Sequence, residues 1–216
     1  MPKVSKEQAQ RKRDEILDAC EDLYRVSSFH DVTIKDISER ISLSRPSIYN
    51  YFQTIEEIFL DLLSREYDRW ADDIDSITQS NDELSVEELS SEIAYSLERR
   101  RTMLRILSTN LYEIEDNSRL ERLIDFKKNF KRTIEALDGC LKKFLPEMGE
   151  RDLILFRNSF LPFLYGVFPF SEPTEKQSRA MDVTGVPHPP TSIYELTRNC
   201  MMMLLGKYAG KDKQAN

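Results

Sequence analysis

The stretch that most constrains this chain runs from Val32 to Phe52, where two short helical patterns flank a three-residue break. Thr33 and Asp36 make a reciprocal capping pattern, since the hydroxyl can accept from a first-turn N–H while the carboxylate reaches back to the cap. A helix therefore starts at Thr33. Ile34, Ile37 and Ile41 recur at the three- to four-residue spacing that lines one buried face. Ser44 is placed to cap a second helix carrying Ile48 and Phe52 inward, and Ile41-Ser42-Leu43 has the length of the turn in a helix-turn-helix.

The outward face of that second helix gathers Arg45, Ser47, Tyr49, Asn50 and Tyr51 within two turns. Arg and Asn can contact guanine and adenine edges bidentately in a major groove, and Ser and Tyr hydroxyls suit phosphate oxygens. The alternative is an ordinary capped helix with a polar outer face.

From Arg11 to Leu63 the chain resembles the amino-terminal domain of the TetR family of transcriptional regulators. The matching pieces are Ile16-Leu17-Asp18-Ala19, Val32-Thr33-Ile34-Lys35-Asp36-Ile37, the run Leu43-Ser44-Arg45-Pro46-Ser47-Ile48-Tyr49-Asn50-Tyr51-Phe52, and Glu56-Glu57-Ile58. The resemblance implies contacts to double-stranded operator DNA by Thr33, Ser44, Arg45, Pro46, Ser47, Tyr49, Asn50 and Tyr51. Three positions depart from the family's pattern. Ser28 and Ser42 stand where members usually carry Gly, which a non-Gly residue can replace at modest cost. Ile55 stands where a Lys commonly meets the DNA backbone, and its loss removes one counterion-releasing contact.

Charge bears on this reading, because many DNA-binding domains are basic whereas this chain of 216 residues has a formal net charge of −7. Residues 1–58 hold nine Lys or Arg against eleven Asp or Glu. The positive charge is concentrated at the start, where Lys3, Lys6, Arg11, Lys12 and Arg13 face Glu7 alone. That arm either lies along a phosphate backbone or simply solubilises the terminus. A hydrophobic share of 40% and a charged share of 32% fit a globular, mostly helical protein.

Beyond the first domain the pattern stays helical. An opening helix begins near Ser5 and ends near Ser27 or Ser28; another opens at Thr54 with Glu57 and keeps its stripe through Phe59, Leu63, Tyr67, Trp70, Ile74 and Ile77. The polar run Gln79–Leu84 is read as the boundary between a DNA-binding domain of residues 1–78 and a ligand-binding and dimerisation domain of residues 79–216. Ser85 with Glu88, Ser118 with Glu121 and Ser192 with Glu195 mark further helix starts, and Arg99-Arg100-Arg101 ends one helix and begins the next. Leu120 through Phe144 trace a long amphipathic helix that stops before Pro146. Within Asp152–Phe170 the run Phe160–Phe170 is apolar nearly all round, as is Cys200–Leu205, with a polar, Pro-rich segment between them.

A helix apolar on every side needs burial on every side, within the core or against another subunit. In the family the last two helices pair with those of a second subunit, which implies a homodimer here with Phe163, Val167, Met202 and Leu204 at its interface; the alternative is one large monomeric core. Trp70, Phe126, Phe130, Phe160 and Tyr165 are the large aromatics from which an effector pocket for an apolar or aromatic small molecule could be built, or they fill the core.

Neither His30 nor His188 has an evident catalytic partner, and Cys20, Cys140 and Cys200 are widely spaced with no Cys-x-x-Cys. They read as structural thiols, with no cofactor, no metal and no enzyme activity expected. No segment approaches the ~20 apolar residues of a membrane span and no secretory signal opens the chain, so a cytoplasmic protein is expected. The expected whole is an all-α homodimer of about nine helices, TetR-like, probing DNA with its helix-turn-helix and, by the family's usual logic, a repressor released by its effector. The alternative is a helical effector-binding or protein-interaction module that has lost DNA binding.

Overall fold

The computed structural model describes residues 5–209, so Lys3 of the basic arm lies outside the described residues. Among them the chain is helical with no strand: α1 Lys6–Val26, α2 Ile34–Arg40, α3 Arg45–Ile48, α4 Ile55–Ser80, α5 Val86–Glu98, α6 Arg101–Thr109, α7 Leu111–Asp116, α8 Leu120–Phe144, α9 Glu150–Ser171, α10 Glu175–Thr184 and α11 Ile193–Leu205. Against about nine expected, the surplus lies in short pieces such as α7 and α10.

Local chemistry sets most of the starts. Reciprocal capping boxes close at Ser5/Gln8, Thr33/Asp36, Ser85/Glu88 and Ser192/Glu195, and a further one, Thr174/Gln177, opens α10. Ser118 behaves differently from the sequence expectation: its hydroxyl donates back to the Ile114 carbonyl at 2.7 Å, and α8 starts after Arg119. At α4, Thr54 Oγ1 accepts the Glu57 N–H at 3.2 Å as expected, but the Glu57 carboxylate reaches the Gln53 N–H at 2.8 Å. Gly185 ends α10 in the left-handed region at φ 69°, the conformation that favours glycine at a helix end. Ser28 needs no such freedom, with φ −77°, and instead caps the short turn Phe29–Asp31 through Asp31.

Two compact units divide the chain: residues 1–66 with 110–130, and residues 67–109 with 131–216. This partition differs from one at residue 78, because it cuts α4 between Glu66 and Tyr67 and places α7 and the start of α8 with the amino-terminal helices. The core of the first unit holds Ile16, Cys20, Ile37, Ile48, Phe52, Ile58 and Leu62, all at or near zero exposure. Phe59 meets Tyr24 and Phe29 edge-on, with ring centroids 5.0 and 4.7 Å apart.

In the second unit α11 packs on α5 and α9, and α6 packs on α9. Leu89, Ile93, Leu104, Leu153, Phe160, Leu164, Met201 and Leu205 fill the space between them. The Arg99–Arg101 run joins α5 to α6, with Arg101 the first residue of α6, and its cations are engaged within the unit: Arg100 bonds Asp73 at 2.6 and 2.9 Å, Arg99 lies 3.3 Å from the same carboxylate, and Arg101 pairs with Glu172.

Helix α9 corrects the expectation that no segment comes near the length and hydropathy of a membrane span. It contains an 18-residue window of mean hydropathy 1.3, of which only 28% is buried within the chain. Leu153, Phe156, Phe160, Leu164 and Val167 turn inward, while Ile154, Leu155, Tyr165 and Phe170 stay exposed. Its interior prolines, Pro162 and Pro169, each take one N–H out of the helical ladder.

Candidate nucleic-acid interface

Helix α3 is one α-helical turn, extended by tighter bonds from Asn50 to Ser47 and from Tyr51 to Ile48, at 3.3 and 2.8 Å. Ile48 and Phe52 are fully buried and anchor its inner side. Arg45, Pro46, Tyr49 and Asn50 are exposed, Tyr49 at 53%, and Ser47 and Tyr51 are half-buried. Ser44 occupies the cap position, yet its hydroxyl pairs with the Ser47 hydroxyl at 2.9 Å and caps no backbone N–H. The reason is chemical, since Pro46 at the second helical position has no N–H and the Ser47 N–H already bonds the Ser44 carbonyl at 2.9 Å.

Thr33, Lys35, Arg45 and Tyr49 line a shallow recess of about 550 Å³ with Ile55, Gln53 and Thr54, bordered by Glu56 and Glu113. Thr33 is spent partly on its cap: it bonds Asp36 at 2.5 and 3.0 Å, and those bonds hold the Asp36 carboxyl below its ordinary range. Of the amino-terminal cations, Lys12 pairs with Glu15 and Arg13 with Asp61, whereas Lys6 and Arg11 are exposed.

Three residues near this surface had no sequence signal. Glu113 borders the recess, and Arg119 and Arg122 reach its supporting turn. Arg119 donates through Nε and Nη2 to the two oxygens of Glu57 at 2.5 and 2.9 Å, and Arg122 Nη2 donates to the Tyr51 carbonyl at 2.7 Å. Burial pushes the Glu57 carboxyl up, but the Arg119 fork and the Gln53 N–H overrule it and leave the group below its ordinary value.

The five aromatics expected as pocket walls divide between the two units. Trp70 and Phe160 have no exposed surface; the Trp70 indole N–H donates to Ser96 Oγ at 3.0 Å, and Phe160 lies 5.1 Å from the Phe156 ring and 6.0 Å from Phe163. Phe126 and Phe130 stack on each other at 6.4 Å in the first unit, and Tyr165 is exposed. In the second unit an apolar cavity of about 930 Å³ is lined by Phe170, Met181, Val186, Leu196 and the prolines from Pro187 to Pro190, with Gln177 and His188 at its edge. Of the residues expected at a dimer interface, Val167 belongs to the chain's own core, while Phe163, Met202 and Leu204 are half-buried; Met203 between the last two is 79% exposed.

A helix-turn-helix in a chain that is helical throughout its described residues is the make-up of a DNA-binding transcriptional regulator, and comparison with known proteins agrees. Residues 64–208 match the family described as Tetracyclin repressor-like, C-terminal domain, and residues 16–62 match Bacterial regulatory proteins, tetR family. The chain belongs to the TetR family of bacterial regulatory proteins. It is 34% identical over 67 residues to the uncharacterized HTH-type transcriptional regulator YfiR of Bacillus subtilis (strain 168), covering 31% of this chain and 33% of that relative, so the match spans about a third of the relative's length. In fold it is similar to the fatty acid degradation regulator FadR from Bacillus halodurans, with TM-score 0.59, 19% identity, and 90% and 95% of the two chains covered. The transcriptional regulator FadR from Bacillus subtilis, solved in complex with stearoyl-CoA, is similar with TM-score 0.58 and 15% identity over 88% and 96% of the chains.

Proposed function

We propose that the chain is a cytoplasmic homodimeric repressor that reads operator DNA with α3 and is released by an apolar small-molecule effector. The observation that carries the DNA half is the division of α3 into a fully buried side, Ile48 and Phe52, and an exposed side, Arg45, Pro46, Tyr49 and Asn50. Arg45 and Asn50 supply base-edge contacts; Thr33, Ser44, Ser47, Tyr49 and Tyr51 supply phosphate contacts, with Pro46 packed beside them. A dimer presents two such heads to half-sites ~34–36 Å apart or a multiple of that spacing.

The unburied apolar residues of α9 and α11, Leu155, Tyr165 and Met203 among them, support a second copy as the partner. In this assignment residues 1–78 bind DNA and residues 79–216 bind effector and dimerise. The cavity beside Phe170 and Leu196 is the room we assign to the effector, since its size and apolar lining fit a small organic ligand. That the similarly folded FadR of Bacillus subtilis was solved with stearoyl-CoA supports a ligand with a large apolar part. The effector lowers operator affinity only by its preference for the conformation with mismatched heads.

Selection of duplexes from a random-sequence library on the purified chain tests the DNA half. Enrichment of a two-fold symmetric sequence is the expected result. Arg45→Ala should then weaken the selected duplex by about 1–3 kcal/mol and relax one base preference per half-site. No enrichment at any salt concentration would favour a helical interaction module without DNA binding.

A further inference from the structure

A recognition segment as short as α3 cannot fix its own direction, because a single α-helical turn leaves most of its backbone groups without internal partners. Its inner side is anchored by Ile48 and Phe52. Its far end, where Tyr49, Asn50 and Tyr51 follow one another, is held by something else: Arg122 donates to the Tyr51 carbonyl at 2.7 Å and lays its guanidinium 5.8 Å from the centre of the Phe52 ring. A cation on the terminal carbonyl of a helix is also favourably placed against the helix dipole.

One turn earlier, at the residue that immediately precedes α8, Arg119 grips the start of α4. Its fork meets both oxygens of the fully buried Glu57, and Glu57 in turn accepts the Gln53 N–H at 2.8 Å. Nearby, Thr54 Oγ1 donates to the Asn117 carbonyl at 3.4 Å. The turn from Tyr51 to Glu57 is thus bonded at both ends to arginines three residues apart. The Arg119 carbonyl accepts the N–H groups of Arg122 and Leu123 at 2.9 and 3.1 Å, so the two arginines form one rigid helical start. Helix α8 then continues unbroken to Phe144, and a displacement along it would move both anchors together.

We propose that Arg119 and Arg122 are positioning residues for DNA reading: they contact no base, and they set the place of Tyr49, Asn50 and Tyr51 by clamping the turn that follows α3. This inference rests on the DNA reading above. Reading of base edges demands placement within about 0.5 Å, which a water on the Tyr51 carbonyl would not enforce as a guanidinium fixed in α8 does.

The test uses the full chain and the duplex that the wild type enriches from a random library. Arg122→Met keeps an aliphatic stem on Phe52 and removes the donor. It should lower the ratio of selected to random duplex affinity about tenfold, leave the slope of log affinity against log salt unchanged, and be largely rescued in Arg122→Lys. Arg119→Lys keeps the charge without the fork and should lower the ratio as well, so the proposal does not hang on one variant. A salt slope shallower by about one unit per half-site would make Arg122 a phosphate contact and overturn the proposal. An unchanged ratio in both arginine variants would overturn it too. If the wild type itself enriched no duplex, the DNA reading would fall first; enrichment by the wild type with unaffected variants would sink the clamp alone.

Discussion

Exchanging either partner of the Arg119–Glu57 pair should reveal a strong asymmetry. Glu57 has no exposed surface, whereas the Arg119 side chain is 41% exposed. In Arg119→Met the carboxylate keeps only backbone donors, the Gln53 N–H at 2.8 Å and the N–H of position 119 at 3.4 Å, and stays buried. Breaking a buried pair in this sense costs about 3–5 kcal/mol, and the wet outer end of Arg119 places the expected value near the lower limit, about 3 kcal/mol. In Glu57→Gln the stranded guanidinium retains water on its open side and the amide oxygen can still accept. That loss is about 1–2 kcal/mol.

The pH dependence carries the same logic. In the wild type the folded Glu57 carboxyl lies below its ordinary value of 4.5, so the pair contributes stability above that pH and loses it as pH falls through the folded value. Without the Arg119 side chain, burial is opposed only by backbone N–H groups and the folded carboxyl rises from its wild-type value, so the variant is penalised at neutral pH and loses less on acidification. The gap between wild type and Arg119→Met should therefore shrink from about pH 7 to about pH 4. Urea unfolding followed by circular dichroism at several pH values measures it. Equal costs for the two variants, or a gap that stays flat over that range, would refute the assignment of a buried, ionised Glu57.

Ile55→Lys should strengthen duplex binding at low salt and steepen the salt slope by about one unit per half-site, as read by fluorescence anisotropy; an unchanged slope means the start of α4 does not touch phosphate. Phe160→Ala should cost about 3–5 kcal/mol of folding free energy because the ring is wholly enclosed, and a variant of normal stability in calorimetry would return Phe160 to the list of pocket walls. Met203→Asp together with Leu155→Asp should yield monomers in light scattering with folding retained, since both side chains are largely exposed within one chain. A dimer surviving both would move the interface off α9 and α11.

What could be read in the sequence was what neighbours along the chain decide. Thr33 with Asp36, Ser85 with Glu88 and Ser192 with Glu195 close their boxes within one turn, so residue type and spacing suffice. The two misjudged caps failed for equally local reasons: Pro46 withholds an N–H from Ser44, and the end of α7 offers Ser118 a carbonyl first. The exposed side of α3 was legible because burial of Ile48 and Phe52 leaves its polar residues the opposite face. The clamp was not, since Arg119 and Arg122 find partners 62 and 71 positions away. Nor does spacing separate Trp70, bonded to Ser96 inside the core, from Tyr165, left in the open on α9. Which aromatic of an amphipathic stripe meets solvent is settled by the helices that pack around it.

The carboxylates of Glu56 and Glu113 at the border of the recess have a consequence for how this protein finds its target. Loose attachment to arbitrary DNA is supplied almost wholly by cations on phosphates, and that attachment is what lets a regulator slide. Here two carboxylates stand beside Lys35 and Arg45 at the recess, Lys12 and Arg13 are paired within the chain, and the whole carries −7. On the DNA-binding reading proposed above, arbitrary DNA should hold it weakly. Search would then proceed through many brief collisions from solution, with short scans along the double helix, and the number of free molecules per cell would set how quickly an emptied operator is occupied again.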